Sequence, residues 1–201
     1  MKKKSSGFSV SLMVARGILG ALIVVLALLG NTVRFGPFPI TLALVPIIIG
    51  AALYGANMGA QLGGFFGLMT LIIGLSGLDG GTVIYLMGIS PVACVAVCVL
   101  KGVAAGWISG LAYTAVARKN ENLAVIVAGV VCPVVNTGVF IIGMLLFFTS
   151  ALETWASGQG LLYYVIFGLT GLNFLVETAV NLVLSSGITT IVKYAKGRNK
   201  K

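Results

Sequence analysis

Long apolar runs, separated by short stretches that contain glycine, proline or charge, dominate the chain and predict membrane-spanning helices. Six such segments cover residues 9–30, 40–54, 58–76, a fourth that begins between Pro91 and Lys101 and ends at Arg118, 122–148 and 161–192. A bilayer core needs about 20 apolar residues per helix, so the short second segment is expected to be tilted, extended by flanking residues or partly irregular. The unbroken runs lack the alternating pattern of a transmembrane barrel.

The composition also indicates a membrane protein. Of the 201 residues, 59% are hydrophobic and only 8% are charged, which is too little charge to solvate the outside of a soluble protein. The 28 glycines favour helices that approach one another closely. We therefore predict an all-α integral membrane protein, in which residues 1–201 form a single domain, a compact bundle of six transmembrane helices.

The net charge of +9 is concentrated in three places. Basic residues occupy the tails at residues 1–8 and 194–201, and Arg118 and Lys119 form a pair between the fourth and fifth segments. The positive-inside rule then predicts that both termini and this pair are cytoplasmic. Membrane topology explains the charge better than a nucleic-acid partner does, and none is expected. The outward connections are longer and richer in glycine, so a binding site should open outwards.

Polar residues inside the apolar segments are the candidate binding residues. Asn173, Glu177 and Asn181 are four residues apart and form one stripe on a helix. An intramembrane carboxylate is costly unless it is paired or solvated. Glu177 is either a buried carboxylate that bonds neighbouring helices or a contact in a ligand cavity. We expect Asn173, one turn outward, to face the cavity and Asn181, one turn inward, to bond between helices.

Three further residues belong to this candidate site or its surroundings. Lys101 either snorkels to the outer interface or, with Arg34 on the same side, attracts an anionic group of a ligand. The stretch "CPVVNTGVF" places Pro133 inside the fifth segment. The proline either causes a locally satisfied kink or, as we favour slightly, turns Asn136 towards a cavity.

The chain lacks the residues that several other classes of function require. The chain has no P-loop and no histidine, and no acidic cluster suited to a metal, so neither an ATPase nor a metal site nor a cofactor is predicted. The three cysteines lie in apolar segments and are expected to be buried and reduced. Gly17 and Ala21, four apart in the first segment, make a flat face for another helix.

Taken together, these segments resemble the S components of energy-coupling factor (ECF) transporters. The resemblance is carried by "FGPFPITLALVPIIIGAALYGANMGAQLGGFFGLMT", "LKGVAAGWISGLAYTAVARK", "VVCPVVNTGVFIIGMLLFF" and "GLNFLVETAVNLVLSS". It is closest to the broad group that includes riboflavin, folate and pantothenate binders.

The resemblance implies a non-enzymatic subunit of a bacterial cell membrane. Such a subunit binds a vitamin or cofactor precursor from outside, docks on a transmembrane coupling protein that carries two ATPases, topples in the membrane and releases the substrate inside. It implies a pocket near Arg34, Lys101, Asn136, Asn173 and Glu177. It places the docking surface on the first helix, where Gly17 and Ala21 are the nearest match to the usual alanine-xxx-alanine pattern.

Two rivals remain open. One is a stand-alone secondary transporter driven by protons, with Glu177 as the carrier. The other is a membrane-embedded enzyme, which would need a second acid or metal ligand beside Glu177. The identity of the substrate also stays open, and the candidates are riboflavin, pantothenate, folate, lipoate and similar precursors.

Overall fold

A computed structural model describes residues 10–32 and 41–198, and these residues form helices and turns with no strand among them. In chain order the elements are α1 Val10–Thr32, α2 Leu44–Tyr54, α3 Ala56–Leu75, α4 Thr82–Ile89, α5 Pro91–Ala117, α6 Glu121–Phe147, α7 Thr149–Ala156, α8 Leu161–Tyr163, a π-helical segment Tyr164–Gly171, and α9 Leu172–Arg198.

Five of the described helices, namely α1, α3, α5, α6 and α9, are long and apolar enough to cross a membrane. The chain is therefore a multi-pass, all-helical membrane protein. The second predicted segment is represented by α2, which has only 11 residues and is buried along most of its length. A bundle of six spans with both termini in the cytoplasm stays a prediction.

Two stretches interpreted as outer loops contain helices. Residues 74–90 include α4, and residues 149–160 include α7. The carboxylate of Asp79 accepts the backbone N–H groups of Gly81 at 2.9 Å and Val83 at 2.8 Å, which satisfies free donors at the start of α4. Such two-turn helices are too short for a periodic apolar pattern, so they were not predicted within these outward connections.

The contact between α3 and α5 is made by glycines. Gly59 meets the backbone of Gly106, and Gly63 meets the backbone of Gly102, so close that a Cβ at any of these positions would overlap a carbonyl oxygen. The pairing runs in opposite directions along the two helices, which are therefore antiparallel. Small residues at four-residue intervals bring the two backbones together, and this fixes the helix that carries Lys101 against α3.

Buried apolar side chains form two clusters, one towards each end of the bundle. The turn-end cluster lies near the turn between α5 and α6 and includes Ile23, Ile47, Tyr113, Val125 and Val192. The loop-end cluster lies where α4 and α7 cover the bundle and includes Leu71, Val83, Cys94, Met144 and Phe148.

Candidate functional site

Lys101, Asn136 and Glu177 lie at the level where the two apolar clusters meet, one on each of α5, α6 and α9. We call these three residues the polar layer. Along α5 and α6, residues on one side of the polar residue belong to or pack against the loop-end cluster, and residues on the other side belong to the turn-end cluster. The flanking pairs are Cys98 and Ala105 around Lys101, and Phe140 and Cys132 around Asn136. For Glu177, Ile188 of the turn-end cluster lies further along α9, and Val165 of the loop-end cluster lies in the preceding π-helical segment.

The ammonium of Lys101 is held inside the bundle. Its Nζ lies 5.8 Å from the ring centroid of Phe66 on α3 and 5.2 Å from that of Phe140 on α6, within range of cation–π attraction. Lys101 thus contacts aromatic rings on two other helices, and its contact with a ligand stays a prediction.

The carboxylate of Glu177 is 5% exposed and ties two distant parts of the chain together. Its Oε1 accepts the backbone N–H of Thr41 at 2.8 Å. Thr41 lies three residues before α2 and is 136 residues away in sequence. The structural interpretation of Glu177 as a residue that joins elements of the bundle is therefore seen directly, and the ligand contact stays a prediction.

Asn136 is 5% exposed, and its Oδ1 is buried with no hydrogen-bond partner in the described part of the chain. α6 continues through Pro133 and carries Asn136 about one turn beyond it. Leaving a buried acceptor unpaired costs about 1–3 kcal/mol, so such atoms in native proteins call for an explanation. A substrate or a water molecule that donates a hydrogen bond would supply the missing partner.

The remaining residues singled out in the sequence are Asn181, Asn173 and Arg34. Asn181 is buried, but its Nδ2 donates to the Glu177 backbone carbonyl at 2.9 Å, within its own helix. The expectation that it bonds between helices is therefore wrong, because the i to i−4 carbonyl lies within reach of its amide. Asn173 belongs to α9, but its side chain lies outside the described part of the structure, and so does Arg34 as a whole.

Sequence reasoning missed four contributors to this region. Thr41 gave no signal, because a threonine after a proline-rich stretch is unremarkable in sequence. Phe66 and Phe140 resemble any lipid-facing aromatic residue. Ser109, fully buried on α5 two turns from Lys101, donates its hydroxyl to the backbone carbonyl of Gly106 at 3.2 Å. The sequence offered one usable signal there, a serine in an otherwise apolar helix.

A groove of about 540 Å³ opens on the side of the bundle between α6, the π-helical segment and α9. Thr137 provides the polar side chain of a lining that is otherwise apolar or glycine, and no residue of the polar layer takes part. The lining consists of Val134, Thr137, Gly138, Ile141, Ile166, Phe167, Gly171, Phe174 and Leu175.

The predicted docking residues lie on an open face of α1. A Cβ added at Gly17 would meet nothing within 4 Å, and Ala21 is exposed. The opposite side of α1 packs into the turn-end cluster through Leu19 and Ile23. The small-residue face is thus exposed in the described chain.

Comparison with curated proteins gives no match, and neither does comparison with solved structures. A family model described as the substrate-specific component of the ECF transporter matches residues 11–189. The match runs from the start of α1 nearly to the end of α9 and so includes the polar layer and the open face of α1. The resemblance inferred from sequence is confirmed: the chain belongs to the family of substrate-specific components of ECF transporters.

Proposed function

We propose that this chain captures a vitamin or cofactor precursor from outside a bacterial cell and hands it to an ATP-driven coupling module. The observation that supports this most strongly is the polar layer, in which an acceptor oxygen of Asn136 is buried without a partner between two apolar clusters. A bound substrate that donates a hydrogen bond would give that atom its partner.

The partners follow from the family. A substrate-specific component does not hydrolyse ATP itself, so the coupling protein and two ATPases supply the energy, and this chain has no catalytic step of its own. The open face of α1 around Gly17 and Ala21 supports the proposal that the coupling protein docks there. The bacterial plasma membrane, with lipid around the five long helices, is the proposed location.

The rival function is a proton-driven secondary transporter with Glu177 as carrier. It is supported by the burial of this carboxylate within a spanning helix. The hydrogen bond from the Thr41 N–H to Glu177 weighs against it, because a carrier must exchange its proton with water while this bond holds the carboxylate in place.

Two measurements on the same preparation separate these functions. The chain purified alone in detergent should bind its substrate tightly with no ion gradient present. In liposomes, substrate uptake should require the coupling protein, both ATPases and ATP. Uptake by the chain alone, driven by an imposed pH gradient, would establish the rival instead.

A further inference from the structure

We propose that the groove between α6, the π-helical segment and α9 binds an acyl chain of a membrane phospholipid. Its volume of about 540 Å³ lies in the range of ligand-binding cavities. No residue of the polar layer lines it, so this lipid site is separate from the proposed substrate site. The inference depends on the position of the groove in the membrane and not on the identity of the substrate.

The groove lies at the depth of lipid hydrocarbon. With 27 residues, α6 is about 40 Å long, which exceeds the bilayer's hydrocarbon core of about 30 Å, so the ends of α6 reach the headgroup regions. On α6 the lining runs from Val134 to Ile141. These residues lie about 20 Å and about 9 Å from the loop end of the helix at Phe147. The groove therefore spans the depth that acyl chains of the loop-end leaflet occupy.

The chemistry of the lining matches hydrocarbon. Among the described residues that line the groove none is charged, and Thr137 supplies the polar side chain. Ile166, Phe167 and Leu175 are exposed, so the groove is continuous with the apolar surface that the bundle presents to lipid. A polar solute would exchange its water for a single hydroxyl there, whereas an acyl chain gains close packing at no such cost.

An aromatic residue marks the loop-end side of the groove. Tyr163 lies four residues before Phe167, on the side towards α7, and their ring centroids are 5.0 Å apart. The Tyr163 side chain is exposed, and exposed tyrosines are typical of the membrane–water interface. A phospholipid fits this arrangement, because its head lies at the interface while its chain extends into the groove.

Gly138 leaves one wall of the groove open. A Cβ added there would meet nothing within 4 Å, so a bulky side chain can enter the groove without displacing a neighbour. Gly187 on α9 is equally open but does not line the groove. Gly138→Phe and Gly187→Phe are therefore a matched pair, of which only the first fills the groove.

The first test counts phospholipids by native mass spectrometry on the full chain, purified from membranes in mild detergent. Wild type and Gly187→Phe should retain a bound phospholipid, and Gly138→Phe should retain at least tenfold less. Substrate affinity of Gly138→Phe should stay within twofold of wild type. Equal lipid retention in the three proteins would overturn the inference. Loss of substrate binding in a folded Gly138→Phe would also overturn it, because the groove would then hold substrate.

The second test uses the unaltered chain and so decides the matter if Gly138→Phe does not fold. The chain is reconstituted in phosphatidylcholine liposomes that contain a phosphatidylcholine with a diazirine in mid-chain, and labelled residues are located by mass spectrometry after illumination. Leu175, in the groove, is 62% exposed, and Val183, elsewhere on α9, is 75% exposed. We expect at least fivefold more label at Leu175. Labelling in proportion to exposure would show ordinary lipid contact and overturn the inference.

Discussion

The carboxylate of Glu177, in the second turn of α9, accepts the backbone N–H of Thr41, just before α2, at 2.8 Å. This bond joins the last spanning helix to the residue that follows the connection after α1. Because α2 is short and buried, its position depends on such contacts at its ends as well as on apolar packing. Glu177 thus joins two elements of the fold within the polar layer, and its contact with a ligand stays a prediction.

Removal of this charge should lower the stability of the ligand-free protein. A hydrogen bond to a charged group contributes about 1.5–3 kcal/mol, against about 0.5–1.5 for a neutral one. Glu177→Gln keeps the shape and a weaker bond to Thr41, so we expect a loss of about 1–2 kcal/mol. The melting temperature should fall by about 2–8 °C in a chain of this length. Glu153→Gln, on the exposed face of α7, is the matched control and should melt like the wild type. An unchanged Tm for Glu177→Gln would show that the Thr41 bond does not support the fold.

The glycine contact between α3 and α5 should tolerate no side chain. Gly102→Ala places a methyl group against the backbone of Gly63, so we expect a loss of about 1–3 kcal/mol, as in overpacked cores. Gly187→Ala is the control, because its added methyl meets nothing within 4 Å in α9. Since alanine favours a helix over glycine, that control should be neutral or slightly stabilising. Thermal unfolding of both variants in detergent checks this pair, and equal melting temperatures would contradict the close backbone contact.

The open face of α1 should matter for transport and not for binding. Gly17→Trp and Ala21→Trp add bulk where the described chain makes no contact, so stability and substrate affinity should stay near wild type. Uptake in liposomes with the coupling module should be lost, because the helix no longer fits its partner. Val183→Trp, on another exposed face of the bundle, is the control and should leave uptake intact. Loss of substrate binding in the α1 variants would show that this face packs inside the bundle.

Orientation in the membrane can be tested with single cysteines. In a background lacking the native cysteines, Ser157→Cys at the end of α7 should react with an impermeant thiol reagent added to intact cells. Asn122→Cys, in the first turn of α6 beside the basic turn, should react only after permeabilisation. Both positions are exposed, and neither change alters the charges on which the positive-inside rule depends. The reverse labelling pattern would place the basic residues outside.

The features that could be predicted from the sequence are those set by local pattern. The long helices and the short α2 follow from the lengths of apolar runs, and Asn136 and Glu177 stood out because polar groups are costly in such runs. The short helices α4 and α7 carry too few residues for a periodic signal. The contact between Glu177 and Thr41 spans 136 residues, and the two rings around Lys101 come from different helices, so both depend on tertiary packing that no local pattern encodes.

The central claim, that substrate binds at the polar layer, is tested most directly by titration of the co-purifying ligand into wild type and Asn136→Leu in detergent, without ATP or an ion gradient. The substitution removes a buried acceptor that has no partner in the described chain, so the ligand-free Tm should stay the same or rise. Affinity should fall several-fold to tenfold, because about 0.5–1.5 kcal/mol of hydrogen bonding is lost. Asn120→Ala is the control, since it removes the cap at the start of α6 and should lower the Tm without changing affinity. Tight binding by the wild type that is weakened in Asn136→Leu is the result predicted here. Equal affinity in the two proteins would place the substrate elsewhere and contradict the account.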